Sequence, residues 1–397
     1  MKTLLRQCCV LICAIWVTGL AEGAAPSTKS LEARIDKLIR EAGELEKNGN
    51  VAGAEAKMTE LIRLAPQEAS GYYNRALMRH RLGQQDAAED DANKYLQMQP
   101  TADDALELRA RIRAAKNDLN GALMDVNSAL RANQERHSAR FVRARILTAR
   151  RDHRGALEDY ERLARALPEN DEVIAGRGEC ELALGHHSAA KLTFQALTKR
   201  HPEHAWAHYK LGQAKFGLLE FEGAIASHER AAELKWDRAD SSRSIGYAKF
   251  GLEDYNGAIE KLKESIAANP SGSAYAYLVL HLALRRAERS VAESPLIDAL
   301  PEWKSEWTQS VGLYLLDEID DRELVDRAKA TKDQRLRDEQ LCEAYFYIGA
   351  TRLLQMDRVA GEVLFERVLG TRASTFIEYT LARADLRRFQ QPAKSGS

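Results

Sequence analysis

The stretch 171–204, DEVIAGRGECELALGHHSAAKLTFQALTKRHPEH, decides how this 397-residue chain folds. Gly178 and Ala190 stand twelve residues apart, Phe194 follows, and Pro202 comes twelve residues after the alanine. The spacing recurs every 34 residues. Ala54, Ala88, Ala122, Ala156, Ala190, Ala224 and Ala258 fill one phase of the lattice without a gap. Ala42, Ala76, Ala110, Ala144, Gly178, Gly212 and Gly246 fill the phase twelve residues earlier. Pro66, Pro100, Pro168, Pro202 and Pro270 hold five of seven points on the later phase, with Gln134 and Trp236 at the other two. An unbroken period of this kind marks a repeat architecture rather than independent globules.

Each unit reads as two helices. In 171–204, Ile174, Gly178 and Glu181 lie on the first helix, Gly185 helps the turn, and Ala190, Phe194 and Leu197 lie on the second. Small side chains at the crossing let the axes approach toward the short end of the usual range of about 8–10 Å. Proline lacks the donor a helix interior needs, so Pro202 suits the exit. Tyr160 and Phe194 fill the large place of the second helix, whereas Ala92 and His228 depart from it.

This pattern resembles the tetratricopeptide repeat (TPR). The resemblance implies an all-α, right-handed superhelix (an α-solenoid) of about eight to nine helical hairpins plus a C-terminal helix. Seven units span 35–272, and a divergent eighth, 273–304, stays in phase with Ala292 and carries Tyr277, Leu280 and Ala283 on its first helix. Residues 305–341 read as a linker with short helices around 308–316 and 321–330, the second capped by Asp320 or Asp321. Residues 342–390 read as a TPR-like unit, with Ala360, Phe365 and Val368 on its second helix, and a capping helix. That last helix ends on Arg383, Arg387 and Arg388, whose charge suits a helix carboxyl end.

The first 23 residues read as a secretory signal peptide: Lys2 and Arg6, an apolar run Cys8–Leu20, and small residues before a cut after Gly23. Residues 24–34 read as a linker and 391–397 as a disordered tail. The expected location is the periplasm. Three of the five cysteines fall in the signal, leaving Cys180 and Cys342 almost five repeats apart. A disulfide needs Cα atoms within about 7 Å, so the two are expected as separate thiols. Charge is balanced, 58 Lys+Arg against 59 Asp+Glu, which argues against nucleic acid as the partner. No later stretch approaches the roughly 18 apolar residues of a membrane span.

No phosphate loop, serine elbow, His-Glu-x-x-His or mature Cys-x-x-Cys occurs, so neither enzymatic activity nor a cofactor is expected. His201, His204 and His208 make the best metal candidate, and a metal-dependent hydrolase would need His204 and His208 as ligands. They read instead as packing and surface histidines. The acidic cluster Asp86, Glu89, Asp90 and Asp91 and the run Asp317–Asp321 read as solvated faces.

What remains is the concave groove, lined by places 2, 5, 6, 9, 12 and 13 of each first helix. It offers Tyr73, Asn74 and Arg81, then Phe141 and Arg145, then Trp206, Tyr209, Lys210 and Gln213. Further along stand Arg243 and Tyr247, then Tyr277, His281 and Arg285. Aromatics beside arginine suit a protein or peptide ligand. The chain therefore reads as a non-enzymatic protein-binding scaffold.

The segments CEAYFYIG (Cys342–Gly349), Leu353-Leu354 and FIEY (Phe376–Tyr379) resemble the end of bacterial envelope TPR adaptors of the NlpI lipoprotein type. The segment with Trp303 and Trp307 is also similar. The resemblance implies a periplasmic scaffold, often a homodimer, that presents clients such as peptidoglycan hydrolases to a tail-specific protease. This chain departs from it in lacking a lipidated cysteine and in its longer array. The alternative is a TPR component of an envelope polysaccharide-export or secretion apparatus.

Overall fold

The computed structural model describes residues 28–390, among which there are 21 α-helices and no strand. The signal peptide at 1–23 and the tail at 391–397 lie outside the described residues. The linker expected at 24–34 is corrected from Thr28 onward, where α1 already begins. Contacts group the chain into two compact units that divide between Lys116 and Asn117, inside the third 34-residue repeat.

The first unit holds α1 (Thr28–Lys47), α2 (Val51–Leu64), α3 (Ala69–Arg81), α4 (Gln85–Met98) and α5 (Asp103–Ala115). The second opens with α6 (Leu119–Ala132) and the hairpins α7 (His137–Ala149) with α8 (His153–Ala166) and α9 (Asp171–Ala183) with α10 (His187–Arg200). It continues with α11 (Ala205–Gly217) and α12 (Phe221–Glu233), then α13 (Arg238–Gly251) and α14 (Tyr255–Ala268), then α15 (Ala274–Arg286). The short α16 (Leu296–Ala299) leads to α17 (Glu306–Leu315), α18 (Asp321–Lys329), α19 (Gln334–Leu354), α20 (Arg358–Gly370) and α21 (Ile377–Phe389).

The repeat fixes the starts, turns and crossings of these helices. Asn50, Asp118, Asp152 and Asp254 cap second helices by accepting from the amide three residues on, which satisfies a donor the helix leaves open. The turn before each cap needs a left-handed residue, and Gly49, Gly83, Asn117, Arg151, Gly185, Leu219 and Glu253 all have φ between 61° and 77°. At the crossing, all seven lattice alanines from Ala54 to Ala258 are fully buried. The small place on the first helix faces the large place sixteen residues later. A Cβ on Gly178 would meet Phe194 at 2.6 Å, on Gly212 the His228 ring at 2.6 Å, on Gly246 Leu262 at 2.8 Å, and on Gly349 Phe365 at 2.8 Å. His228 therefore fills the large place despite its polarity. The final hairpin crosses at Gly361, against Leu353, rather than at Ala360.

The eighth unit differs. Its second helix does not form: Ala292 is exposed in a single 3-10 turn, Val291–Glu293. Pro295 stands where that helix would run, without a donor and against helical geometry before it. Asp320 caps α18, and α19 starts eight residues before Cys342. Phe346, Tyr347, Phe365, Leu381 and Leu386 join Leu278, Leu280 and Leu282 of α15 in one apolar core. Cys180 and Cys342 are buried free thiols.

Candidate functional site

The groove residues of the first unit stay at the surface. Tyr73 and Asn74 are half-buried, Tyr73 lies 5.4 Å from the Tyr95 ring, and exposed Arg81 pairs with Glu46. The acidic cluster beside them is not simply solvated. Asp91 is 4% exposed and takes ion pairs from Arg75 at 2.7 Å and Arg79 at 2.9 Å, while Glu89 pairs with Arg113 and Lys116.

In the second unit the inner wall changes character along its length. Arg145 is exposed, Phe141 sits edge-on to Tyr160, and Trp206, Lys210, Gln213, Arg243 and Arg285 keep partial exposure. Tyr209, Tyr247, Tyr277 and His281 do not, which corrects their reading as open groove residues. Tyr209 stacks on Trp236 at 5.3 Å. Tyr277 packs against Trp303, and His281 Nδ1 lies 3.3 Å from Ser294 Oγ, so the segment after α15 folds back over that stretch of wall. Tyr247 belongs to the core that holds Leu381 and Leu386 of α21.

The seat of α21 is regular. His187 Nε2 lies 3.5 Å from the Ser374 carbonyl, Arg383 donates to the Gly217 carbonyl at 3.3 Å, and Arg388 donates to the Gly251 carbonyl at 2.8 Å. Gly217 and Gly251 end α11 and α13, where carbonyls lack helical partners. Arg383 and Arg388 thus serve the carboxyl ends of two other helices rather than only their own. Arg388 also pairs with Glu253 and with buried Asp385.

Two recesses open in the second unit. The first, about 630 Å³, opens between Trp206 and Trp236 and is rimmed by Arg200, Glu203 and His204. Trp206 is held edge-on by Phe194, and Lys210 Nζ lies 5.8 Å from its ring centre. The three histidines of the metal reading are engaged separately here: His201 with Asp171 at 2.6 Å, His208 with the Pro202 carbonyl at 3.0 Å, and His204 against Trp206. Among the described residues, no group of three or more His, Cys, Asp or Glu is placed to hold a metal.

The second recess, about 520 Å³, lies between α9, α11, α13 and the start of α21. Tyr209, Lys210, Gln213, Arg243 and Tyr247 line it, the two tyrosines as buried rings, together with His153, His187, His228, Ser244, Thr375, Ile377 and Thr380. Burial pushes the His228 imidazole down to about 3 and lowers His187 and His153, so all three rings are neutral near pH 7. Burial likewise pushes the Tyr209 and Tyr247 hydroxyls up. Of the residues missed in the sequence, Ile377 lay within the FIEY segment and Trp236 on an empty proline point of the lattice. His228 was marked only as a departure from the large place of its repeat, and the other histidines and the threonines gave no signal of their own.

Tetratricopeptide-repeat family models match residues 39–105 and 147–216. No curated protein matches the chain. Among solved structures, the chain is similar to a tetratricopeptide repeat protein from Parabacteroides merdae, at 17% identity over 64% of this chain and 99% of that one, with TM-score 0.46. It is also similar to the C-terminal part of a TPR repeat-containing protein from Cytophaga hutchinsonii, at 18% identity over 59% and 96%, TM-score 0.49. YrrB, described as a TPR protein with an unusual peptide-binding site, matches at 22% identity over 46% and 95%, TM-score 0.43.

Proposed function

This chain is a tetratricopeptide-repeat protein, and from that premise we propose that it is a non-enzymatic scaffold holding a client protein in the cleft between Trp206 and Trp236. One observation carries the reading: two half-buried indoles stand with Arg200 in an open apolar cleft, and Lys210 Nζ lies 5.8 Å from the Trp206 ring centre. Tryptophan and arginine dominate binding hot spots because they combine large buried area with directed polar contacts. The stretch of wall around Tyr277 takes no part in this role, because the segment after α15 already covers it.

The proposed setting is the bacterial envelope, after export, where the scaffold presents clients to a periplasmic protease or cell-wall hydrolase. The resemblance of the CEAYFYIG and FIEY segments to the end of bacterial envelope TPR adaptors supports this setting. Homodimerisation belongs to the same proposal, and sedimentation of the purified chain tests it. The main test is capture from bacterial envelope extract with wild type, Trp206→Ala and Lys210→Glu. Recovery of a periplasmic protease or peptidoglycan hydrolase by wild type, lost in both variants, is the expected result. Capture unaffected by either substitution, or recovery of polysaccharide-export components alone, would overturn it.

A further inference from the structure

Residues 131–165 hold ten arginines and no lysine against five acids, a local positive excess in a chain whose total charge is −1. Four of those arginines, Arg131, Arg140, Arg143 and Arg162, meet at a third recess of the second unit, about 330 Å³ in volume. It lies between α6, the turn after it, α7 and α8, and Asn127, Leu130 and Gln134 complete its lining. No carboxylate lines it. None of these residues stands at a groove place of a first helix, so the recess is not part of the concave groove.

The charges of this recess do not balance. Arg143 donates to both oxygens of Asp159 at 2.7 Å and to Asn127 Oδ1 at 3.1 Å. Arg140, its side chain only 11% exposed, lies 3.6 Å from the same Asp159 and donates to the Gln134 carbonyl at 2.6 Å. Two guanidiniums therefore share one carboxylate. At the equivalent place two repeats earlier, Asp91 also serves two arginines, but there Glu55 adds a second carboxylate, 3.1 Å from Arg79. Arg131 donates to the neutral Ser128 Oγ at 2.7 Å, and Arg162 is exposed with no ion pair among the described residues. Glu135, beside Gln134 in the turn, is exposed and does not line the recess. Four guanidiniums against the Asp159 carboxylate leave three positive charges uncompensated. A charge held out of water without its partner is costly, and an anion bound here removes that cost.

Arginine rather than lysine narrows the ligand, because a planar guanidinium presents paired N–H groups that match the oxygens of a phosphate. The lining has no aromatic ring, so it offers no stacking surface for a nucleotide base. A volume of about 330 Å³ lies at the low end of the roughly 300–1,000 Å³ typical of small-molecule sites. We propose that this recess binds a phosphomonoester dianion on a short polar stem, clasped by Arg131 of α6 and Arg162 of α8, with Arg140 as the third cation. Arg143, held by Asp159 and Asn127, is a positioning residue. The ester joins second helices of adjacent repeats, so occupancy stiffens that junction. The site shares no lining residue with the client cleft. A free polyol phosphate and the phosphate headgroup of a lipid share this chemistry.

The test titrates the full chain calorimetrically with methyl phosphate, dimethyl phosphate and glycerol 3-phosphate at matched ionic strength, well above the second phosphate ionisation at about pH 6. Co-sedimentation with phosphatidylcholine vesicles containing phosphatidic acid is the second readout. Methyl phosphate and glycerol 3-phosphate are expected to bind saturably, one per chain, and the monoanionic dimethyl phosphate roughly tenfold more weakly or worse. Arg131→Gln and Arg162→Gln should each weaken methyl phosphate about tenfold, the usual consequence of losing a charged hydrogen bond. Arg165→Gln makes the same charge change at an exposed neighbour outside the recess and should alter affinity by no more than about twofold, since solvent screens it. Saturation by glycerol 3-phosphate without vesicle co-sedimentation identifies a free ester as the source. Co-sedimentation that Arg162→Gln abolishes identifies a lipid headgroup. The proposal fails if neither ester nor vesicle binds, if dimethyl phosphate binds as tightly as methyl phosphate, or if Arg165→Gln weakens binding as much as Arg162→Gln.

Discussion

Arg388 Nη1 donates to the main-chain oxygen of Gly251 at 2.8 Å, joining residues 137 positions apart in the chain. Gly251 ends α13, and its carbonyl has no partner within the helix. Together with Arg383 on Gly217, this contact seats α21 across the ends of repeat helices. Leu381 and Leu386 are buried behind it, and each such side chain stabilises its packing by about 1.5–3 kcal/mol. The helix is a fixed wall rather than a loose lid.

Arg388→Gln should destabilise the protein by about 2 kcal/mol. The substitution strips buried Asp385 of its ion-pair partner and uncaps α13. Breaking a wholly buried pair costs about 3–5 kcal/mol, and the partial exposure of Arg388 reduces that. Adding Asp385→Asn should recover much of the loss, since no buried charge is then left alone. Urea unfolding measures both, and a neutral single variant would contradict the assignment.

Gly246 and Leu262 offer a test of the crossing geometry. Gly246→Ala places a Cβ 2.8 Å from the leucine and should cost about 1–3 kcal/mol by overpacking. Leu262→Val alone should cost about 1 kcal/mol. The double variant shortens the side chain that the new methyl group meets, and it should cost clearly less than the two single losses added together. Strict additivity in a double-mutant cycle would show that the two positions do not meet.

Two carboxylates are buried in the C-terminal core with neutral side-chain donors only, Glu343 on α19 and Glu378 in the first turn of α21. Glu343 accepts from Tyr275 at 3.0 Å and from Trp307 at 2.8 Å, and Glu378 accepts from Tyr347 at 3.2 Å. Burial raises both above the ordinary value of 4.5, and the charge of Glu378 raises Glu343 further. The folded chain therefore holds protons that the unfolded chain releases. The pair's contribution is complete below the unfolded value and is lost as pH rises through the raised folded values. Urea midpoints should fall from mildly acidic to alkaline pH, and Glu378→Gln should flatten that fall. An identical slope in the variant would remove these acids from the account.

The helical hairpins were legible in the sequence because the crossing tolerates only small side chains, and seven alanines at one spacing record that constraint. The left-handed turn was legible only in part. Gly185 signals it, but Arg151, Leu219 and Glu253 adopt the same backbone without a glycine to mark it. Asp91 looked like a solvated acid, because nothing local shows that the place sixteen residues earlier holds its arginine. The same pairing recurs between Arg143 and Asp159 at 2.7 Å. The burial of Tyr247, Tyr277 and His281 was hidden for a different reason. A solenoid reading lets each repeat touch only its neighbours, whereas the C-terminal section packs on helices more than a hundred residues upstream. Periodicity carries no information about a non-repeating segment that returns to the array.

Ser374 Cβ lies 3.5 Å from the position a Cβ would take on Gly185, a separation that suits a disulfide. The left-handed backbone there, φ +73°, is one that Arg151 and Leu219 already adopt in equivalent turns, so cysteine can occupy it. The buried native thiols Cys180 and Cys342 leave the engineered pair as the accessible one. Thiol titration and intact mass of oxidised Gly185→Cys/Ser374→Cys test directly whether the chain closes its own inner wall. The account predicts a near-complete internal disulfide with client capture by the Trp206 cleft retained. Two reactive thiols persisting under oxidation, or loss of capture once the bridge forms, would contradict it.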